Sequence, residues 1–189
     1  LSRGTPHRDA SRHGFGGGDN PVYEGMYESE SLKVGAALVG AEALIAGRAS
    51  RVFSYGGGLH HAHGDHASGF CVFGDGAIAI KRLLDHDLRV AYIDIDAHHG
   101  DGVQAAFYDE PDVLTISMHE SGDYLFPGTG RIDEIGEDRG RGYCINIPLA
   151  PYTDDESALW AFDQIVPAAV ERFNPDMVVA QFGVDAHWR

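Results

Sequence analysis

Hydrophobic positions follow two different periods along this chain. Apolar residues recur at three- and four-residue spacing over 28–47, where Leu32, Ala36, Val39, Ala43 and Ile45 or Ala46 predict a helix with one buried stripe. The same spacing runs through Ile78, Leu83 and Leu84 in "FGDGAIAIKRLLDHD", and a short helix is expected at "GVQAAFYDE". It returns in "DDESALWAFDQIVPAAVERFN", a helix predicted to kink or break at Pro167, because proline lacks the amide that would bond the preceding turn. Between these segments lie short apolar runs that read as strands: "RVFSY" at 51–55, "LRVAYIDID", "DVLTISMH", "YCINIPL" and "DMVVAQFG". Strands alternate with helices and are apolar on both faces, so the predicted fold class is α/β, a mostly parallel sheet flanked by helices. Gly-, Asn- and Pro-rich stretches such as "HGFGGGDNPVYEGMYESE", "GGGLHHAHGDHASGF" and "ESGDYLFPGTGRIDEIGEDRGRG" are predicted loops. Loops of that length usually carry function.

Composition narrows the classes. A chain of 189 residues with 43% hydrophobic content is expected to bury one core, as a single domain over 1–189. No segment reaches the roughly 18 to 20 uninterrupted apolar residues that cross a bilayer, and "VGAALVGAEALIAG" carries Glu42 in its middle, so no membrane partner is expected. The first residues lack the pattern of a secretory signal, and two cysteines, Cys71 and Cys144, without CxxC spacing fit a cytoplasmic location. A formal net charge of -15 argues against nucleic acid as a ligand. It favours cationic partners or simply solubility, and both readings stay open. The chain opens on Leu and closes on "DAHWR" directly after an apolar strand, so a fragment of a longer protein is expected.

Chemistry concentrates where the predicted strands stop. "RVFSY" leads to His60 and His61, "VAYIDID" to Asp94, Asp96 and His98, and "VVAQFG" to Asp185. Ligands of open α/β sheets bind beyond the carboxyl ends of the strands. In Asp96-Ala97-His98, alternate residues of an extended segment face one side, so both could meet one ion, and Asp185 would complete three ligands. Three protein groups with open positions describe a catalytic rather than a structural metal site. Two carboxylates and one imidazole admit Fe(II), Co(II) or Mn(II) as well as zinc. A lone DxH is more often surface hydrogen bonding; its recurrence with the histidine pair and Asp185 is what carries the reading. The glycines of "GGGLHH" do not make a phosphate loop, because no Gly-Lys-Ser/Thr ending follows.

From about "GGDNPVYEG" onward, the motifs "GGGLHHAHGDHASGFC", "YIDIDAHHGDGVQAAF", "FPGTG" and "QFGVDAH" resemble, in order and spacing, the arginase-like fold of the zinc-dependent histone deacetylase superfamily. Acetoin-utilisation deacetylases and acetylpolyamine amidohydrolases belong to that superfamily. The resemblance implies a divalent metal, Zn2+ with Fe2+ or another ion as alternatives, held by Asp96, His98 and Asp185. It implies that His60 and His61 flank the reacting water, oriented by Asp94 and Asp101 respectively, with His61 the principal general base and then acid. Phe70 and Phe126 would line an acyl-lysine channel, and Asp19 would hold the substrate backbone. A monovalent cation, K+, is implied at Asp94, Asp96, His98, Ser117 and the backbone of Met118. The implied activity is removal of acetyl groups from lysine side chains of proteins; the alternatives are a small acetylated polyamine as substrate, or a non-catalytic relative that binds acyl-lysine. Oligomeric state is left open.

The superfamily continues past its last metal aspartate to a Gly-rich segment with a tyrosine that bonds the oxyanion, and this chain stops before it. Strand and helices that precede Asp19 in the superfamily are also missing, so residues 1–189 alone are expected to be unstable and nearly inactive. His7, His13, His63, His66, His86, His99, His119 and His187 receive no role, and most are expected to face solvent or back up the site.

Overall fold

Four of the predicted strands form one sheet in which every pair is parallel: β1 (Val90–Asp94), β2 (Val113–Glu120), β3 (Cys144–Leu149) and β4 (Met177–Gln181), hydrogen-bonded in the order β3-β2-β1-β4. The computed structural model describes residues 3–5, 7–16 and 18–187. Its helices are α1 (Met26–Ile45), α2 (Asp75–Leu84), α3 (Asp101–Ala106) and α4 (Asp155–Phe173). The chain divides into two compact units, Leu1–His86 with α1 and α2, and Asp87–Arg189 with α3, α4 and the sheet.

Alternation along the strands gives the sheet two unlike faces. Ala91, Leu114, Ile116 and Ile147 pack with Val166 and Phe173 of α4 into one apolar cluster. The other face carries Tyr92, Asp94, Thr115, Ser117, His119, Asn146 and Gln181, all buried although polar. Register aligns four of these in a row near the carboxyl ends: Gln181 lies opposite Asp94, Asp94 opposite Ser117, and Ser117 opposite Asn146. One residue earlier, the row reads Ala180, Ile93, Ile116, Ile145. Apolar strands thus end in a shared polar level across the sheet, from which the site is built.

α4 begins at Asp154, whose carboxylate accepts the Ser157 N–H at 2.9 Å, and ends at Asn174 in the left-handed conformation at φ 52°. Its last turn is tied to the sheet by Arg89, which donates to the Phe173 carbonyl at 2.6 Å with its guanidinium 4.1 Å from the Phe173 ring centroid. The predicted break at Pro167 does not occur. Pro167 and Asp163, the residue whose carbonyl loses its helical amide, both lie on the exposed side, where solvent is available to that carbonyl.

In the first unit α1 packs on α2, and Arg82 of α2 donates to Glu42 of α1 at 2.6 Å. The predicted α1 stripe is on the wrong face: Leu32 is 76% and Val39 69% exposed, while Met26, Glu30 and Ala41 are buried. α1 is apolar on several sides, so spacing alone does not select the packed one. The buried charge of Glu30 is compensated by Lys33 and by the Tyr23 hydroxyl at 2.7 Å. "RVFSY" is not a strand either; Phe53 and Tyr55 are exposed and no ladder includes them among the described residues. Strand propensity has no effect without a neighbouring edge to pair with. Among the described residues, no helix is long and apolar enough to cross a membrane, and both cysteines are buried.

Candidate functional site

At the end of β1 the chain leaves the sheet through two consecutive side-chain-capped turns. Asp94 Oδ1 accepts the N–H of Asp96 at 3.1 Å, and Asp96 Oδ1 accepts the N–H of His98 at 2.8 Å. Each aspartate therefore fixes the residue two positions on. The other Asp94 oxygen accepts the Tyr92 hydroxyl at 2.7 Å. From the neighbouring β4, Gln181 Nε2 donates to Asp96 Oδ2 at 3.1 Å, and Asp185 Oδ1 accepts the Ala97 N–H at 3.1 Å. Gly183 makes this approach possible, since a Cβ there would run into the Asp96 carboxylate.

The result is that Asp96, His98 and Asp185 each present a ligand atom within 4.8 Å of the other two. His98 Nδ1 lies 2.8 Å from Asp185 Oδ2 and 3.1 Å from Asp96 Oδ1. Two carboxylates this close repel unless positive charge lies between them, which a divalent ion supplies. Two anionic oxygens and one imidazole nitrogen fit a borderline or hard divalent cation. Asp96 is buried, His98 partly so, and Asp185 is 44% exposed, so the group opens on its Asp185 side. The Phe126 ring stands edge-on to His98 with centroids 6.3 Å apart. Ser117 and Met118 lie on β2 beside the end of β1, and Asp101 opens α3.

The first unit carries the other expected residues. His60 and His61 are both buried, with ring centroids 4.0 Å apart. They follow a loop rather than the expected strand, and Asp75 shapes that loop: its buried carboxylate, at the start of α2, accepts the N–H groups of Leu59 at 2.8 Å and Gly58 at 3.3 Å. A Cβ on Gly57 would strike the same carboxylate. Asp75 was not singled out from the sequence; the signal available was an aspartate at a helix start following a glycine run. Phe70 is 73% exposed at φ 68°, a conformation that costs a bulky residue energy. Asp19 is exposed on its loop.

The family model of the histone deacetylase domain matches residues 2–189. The chain belongs to the histone deacetylase family. It is 47% identical over 184 residues to the acetoin utilization protein AcuC of Bacillus subtilis (strain 168), covering 97% of this chain and 48% of that protein. It is 43% identical over 182 residues to AcuC of Staphylococcus aureus (strain MRSA252), covering 96% and 47%. Among solved structures, an HDAC homolog from Aquifex aeolicus is similar at TM-score 0.86 and 37% identity, over 93% of this chain and 47% of that one. An HDAC homolog complexed with SAHA is similar at TM-score 0.86 and 36% identity with the same coverage. The chain thus spans about half the length of the curated relatives it matches. The family and α/β fold expected from the motifs are those found.

Within this histone deacetylase fold the structure reveals a buried polar group absent from the sequence reading. His99 and His119 are each 1% exposed, unlike the other histidines left without a role. Burial pushes His99 below the ordinary imidazole value, and burial together with His99 brings His119 down to about 4. Burial would raise the Glu134 carboxyl, but N–H donors from Arg131, Gln104 and Gly130 outweigh it and hold Glu134 below its usual value. Burial raises the Cys144 thiol to about 11, so it is not a nucleophile at neutral pH. Position could have flagged His119, which lies two residues beyond Ser117 on the inner face of β2.

Proposed function

We propose that this chain is the catalytic portion of a metal-dependent amidohydrolase that removes acetyl groups from lysine side chains. The observation that supports it best is the convergence of Asp96, His98 and Asp185, from the ends of two adjacent strands, within 4.8 Å. These three would hold a divalent ion, zinc or Fe(II), which when bound supplies an activated water and a polarised amide carbonyl. His61 would take the water proton on a ring nitrogen and deliver it to the departing amine, the role of a general base and then acid. His60 assists beside it. In this reading Asp94 and Asp101 would serve to fix the tautomers of His60 and His61. The carbon–oxygen bond of acetate forms as the amide carbon–nitrogen bond breaks, and the amine leaves with the proton from His61. Phe70 and Phe126 would serve as acyl-lysine contacts, Asp19 as a contact to the substrate backbone, and Asp94, Asp96, His98, Ser117 and the backbone of Met118 would hold K+ when it is bound. A further reading within the family takes an acetylated polyamine, a cation suited to a chain of net charge -15.

The test uses the longest natural chain that contains residues 1–189, loaded with zinc or Fe(II). Acetate release is measured from an acetyl-lysine peptide and from acetylated polyamines; faster release from the peptide is expected, and release only from the polyamine reassigns the substrate. Asp185→Ala should lose its divalent ion on dialysis, and retention of one equivalent removes Asp185 from the ligand set. His61→Ala should keep its metal and lose at least about a hundredfold in turnover, the scale of a general base. Parallel loss of metal and rate would make His61 a ligand instead.

A further inference from the structure

The loop after β2 that carries Phe126 is clamped four residues later. Gly130 donates its N–H to both carboxylate oxygens of Glu134 at 3.1 Å, and its carbonyl accepts from His119 Nε2 at 3.0 Å. At φ 84° Gly130 has no space for a side chain, because a Cβ would strike the His119 and His99 rings. Thr129 Oγ1 is 2.8 Å from His99 Nδ1. Glu134 also accepts the Arg131 N–H at 3.1 Å and the Gln104 Nε2 donor at 2.6 Å.

These contacts fix every proton in the chain of bonds. A carboxylate only accepts, so Gln104 turns its NH2 to Glu134 and its Oε1 inward. That oxygen accepts from Asn146 Nδ2 at 2.8 Å and faces His99 Nε2 at 3.0 Å, so Nε2 carries the His99 proton. Nδ1 of His99 is then an acceptor and receives the Thr129 hydroxyl. His119 follows the same rule, donating to the Gly130 carbonyl and accepting from Ser117 Oγ at 2.9 Å. His99 is the neighbour of His98, against whose ring Phe126 stands.

We propose that Glu134 is a positioning residue: through Gln104 it sets the His99 tautomer and clamps the Thr129–Gly130 turn, which holds Phe126 against His98 and sets affinity for the acylated substrate. The last clause rests on the deacetylase reading. The clamp itself does not.

The reciprocal pair Glu134→Gln and Gln104→Glu tests it in the longest natural chain containing residues 1–189, loaded with metal. Glu134→Gln offers one acceptor where the carboxylate offered two: with its oxygen toward Gln104, its NH2 meets the Gly130 and Arg131 N–H groups; with its NH2 toward Gln104, that amide must turn and take its acceptor from His99. The expected results are faster exchange of the Gly130 and Arg131 amides, a changed His99 tautomer in long-range 1H–15N spectra, and a KM for acetyl-lysine peptide raised about tenfold with kcat within about twofold. In the double variant Q104E/E134Q, the new carboxylate accepts from His99 and Asn146 while the new amide donates to it and accepts from Gly130 and Arg131. Exchange, tautomer and KM should all return toward wild type. Unchanged exchange and tautomer in Glu134→Gln, or a double variant no better than the single, overturns the clamp. Restored exchange with no effect on KM at either stage overturns its role in affinity. Should the wild-type protein release no acetate at all, the deacetylase reading fails, while exchange and tautomer still decide the clamp.

Discussion

Gly183 occupies the position in the candidate metal group where one carbon atom decides the geometry. Any side chain there meets the Asp96 carboxylate, which Gln181 already holds from the same strand end. The strand cannot retreat freely, because Gly183 also donates its N–H to Gln181 Oε1 at 2.6 Å. Gly183→Ala is therefore expected to move Asp96 away from Asp185 and to weaken divalent-ion binding by about tenfold or more, a modest energy on the scale of a disturbed outer contact to a metal site. Titration with zinc against a chromophoric chelator measures it; wild-type affinity in the variant would show that the loop yields elsewhere. At this scale the sequence was informative where chemistry depends on spacing. Asp96 and His98 are two apart and Asp185 follows a strand, so their convergence was readable, although the Asp96 segment is a pair of side-chain-capped turns rather than the extended run expected. His99, His119 and Asp75 were not, because a letter states neither burial nor partner, and each acquires its role only from a residue distant in sequence: Thr129, Gly130 and Leu59 respectively.

Elements were legible to the extent that their period was unambiguous. β1, β2, β3 and β4 are bounded by charge, Gly or Pro and found neighbours; "RVFSY" has similar residues and found none. α1 formed where expected but turned a different face inward, since its apolar residues do not confine themselves to one side. α4 continues through Pro167, which carries a prediction. An interior proline is about 3 kcal/mol less favourable than alanine in a helix, while its stiffness in the unfolded chain returns about 0.4–1 kcal/mol. The helical penalty is the larger. Pro167→Ala, on the exposed side of α4, should raise the stability of the sheet unit by about 2–2.5 kcal/mol, read as a higher urea midpoint with unchanged slope. A lower midpoint would mean that the helix depends on the turn geometry proline imposes.

For the whole molecule, the parallel topology followed from alternating strands and helices, and the polar row Gln181–Asp94–Ser117–Asn146 explains why apolar strands end in charge. Among the described residues β4 is a terminal strand of the sheet, where Val178 is 52% exposed, and beyond it Phe182 and Val184 are 60% and 82% exposed. β4 is held to the rest of the described sheet through its pairing with β1 and through the contacts of Gln181 and Asp185 to the Asp96 turn. A divalent ion at Asp96, His98 and Asp185 would add a bond between those same two strand ends, and a ligand that binds only the folded state stabilises it by mass action, about 2.7 kcal/mol at one hundred times its dissociation constant. Zinc or Fe(II) should therefore raise the melting temperature in proportion to the logarithm of free ion, and a chelator should reverse the gain. Asp185→Ala should melt near the metal-free wild type and no longer respond to the ion. An equal response in both proteins would place the stabilising ion elsewhere on this acidic chain and separate β4 from the metal centre.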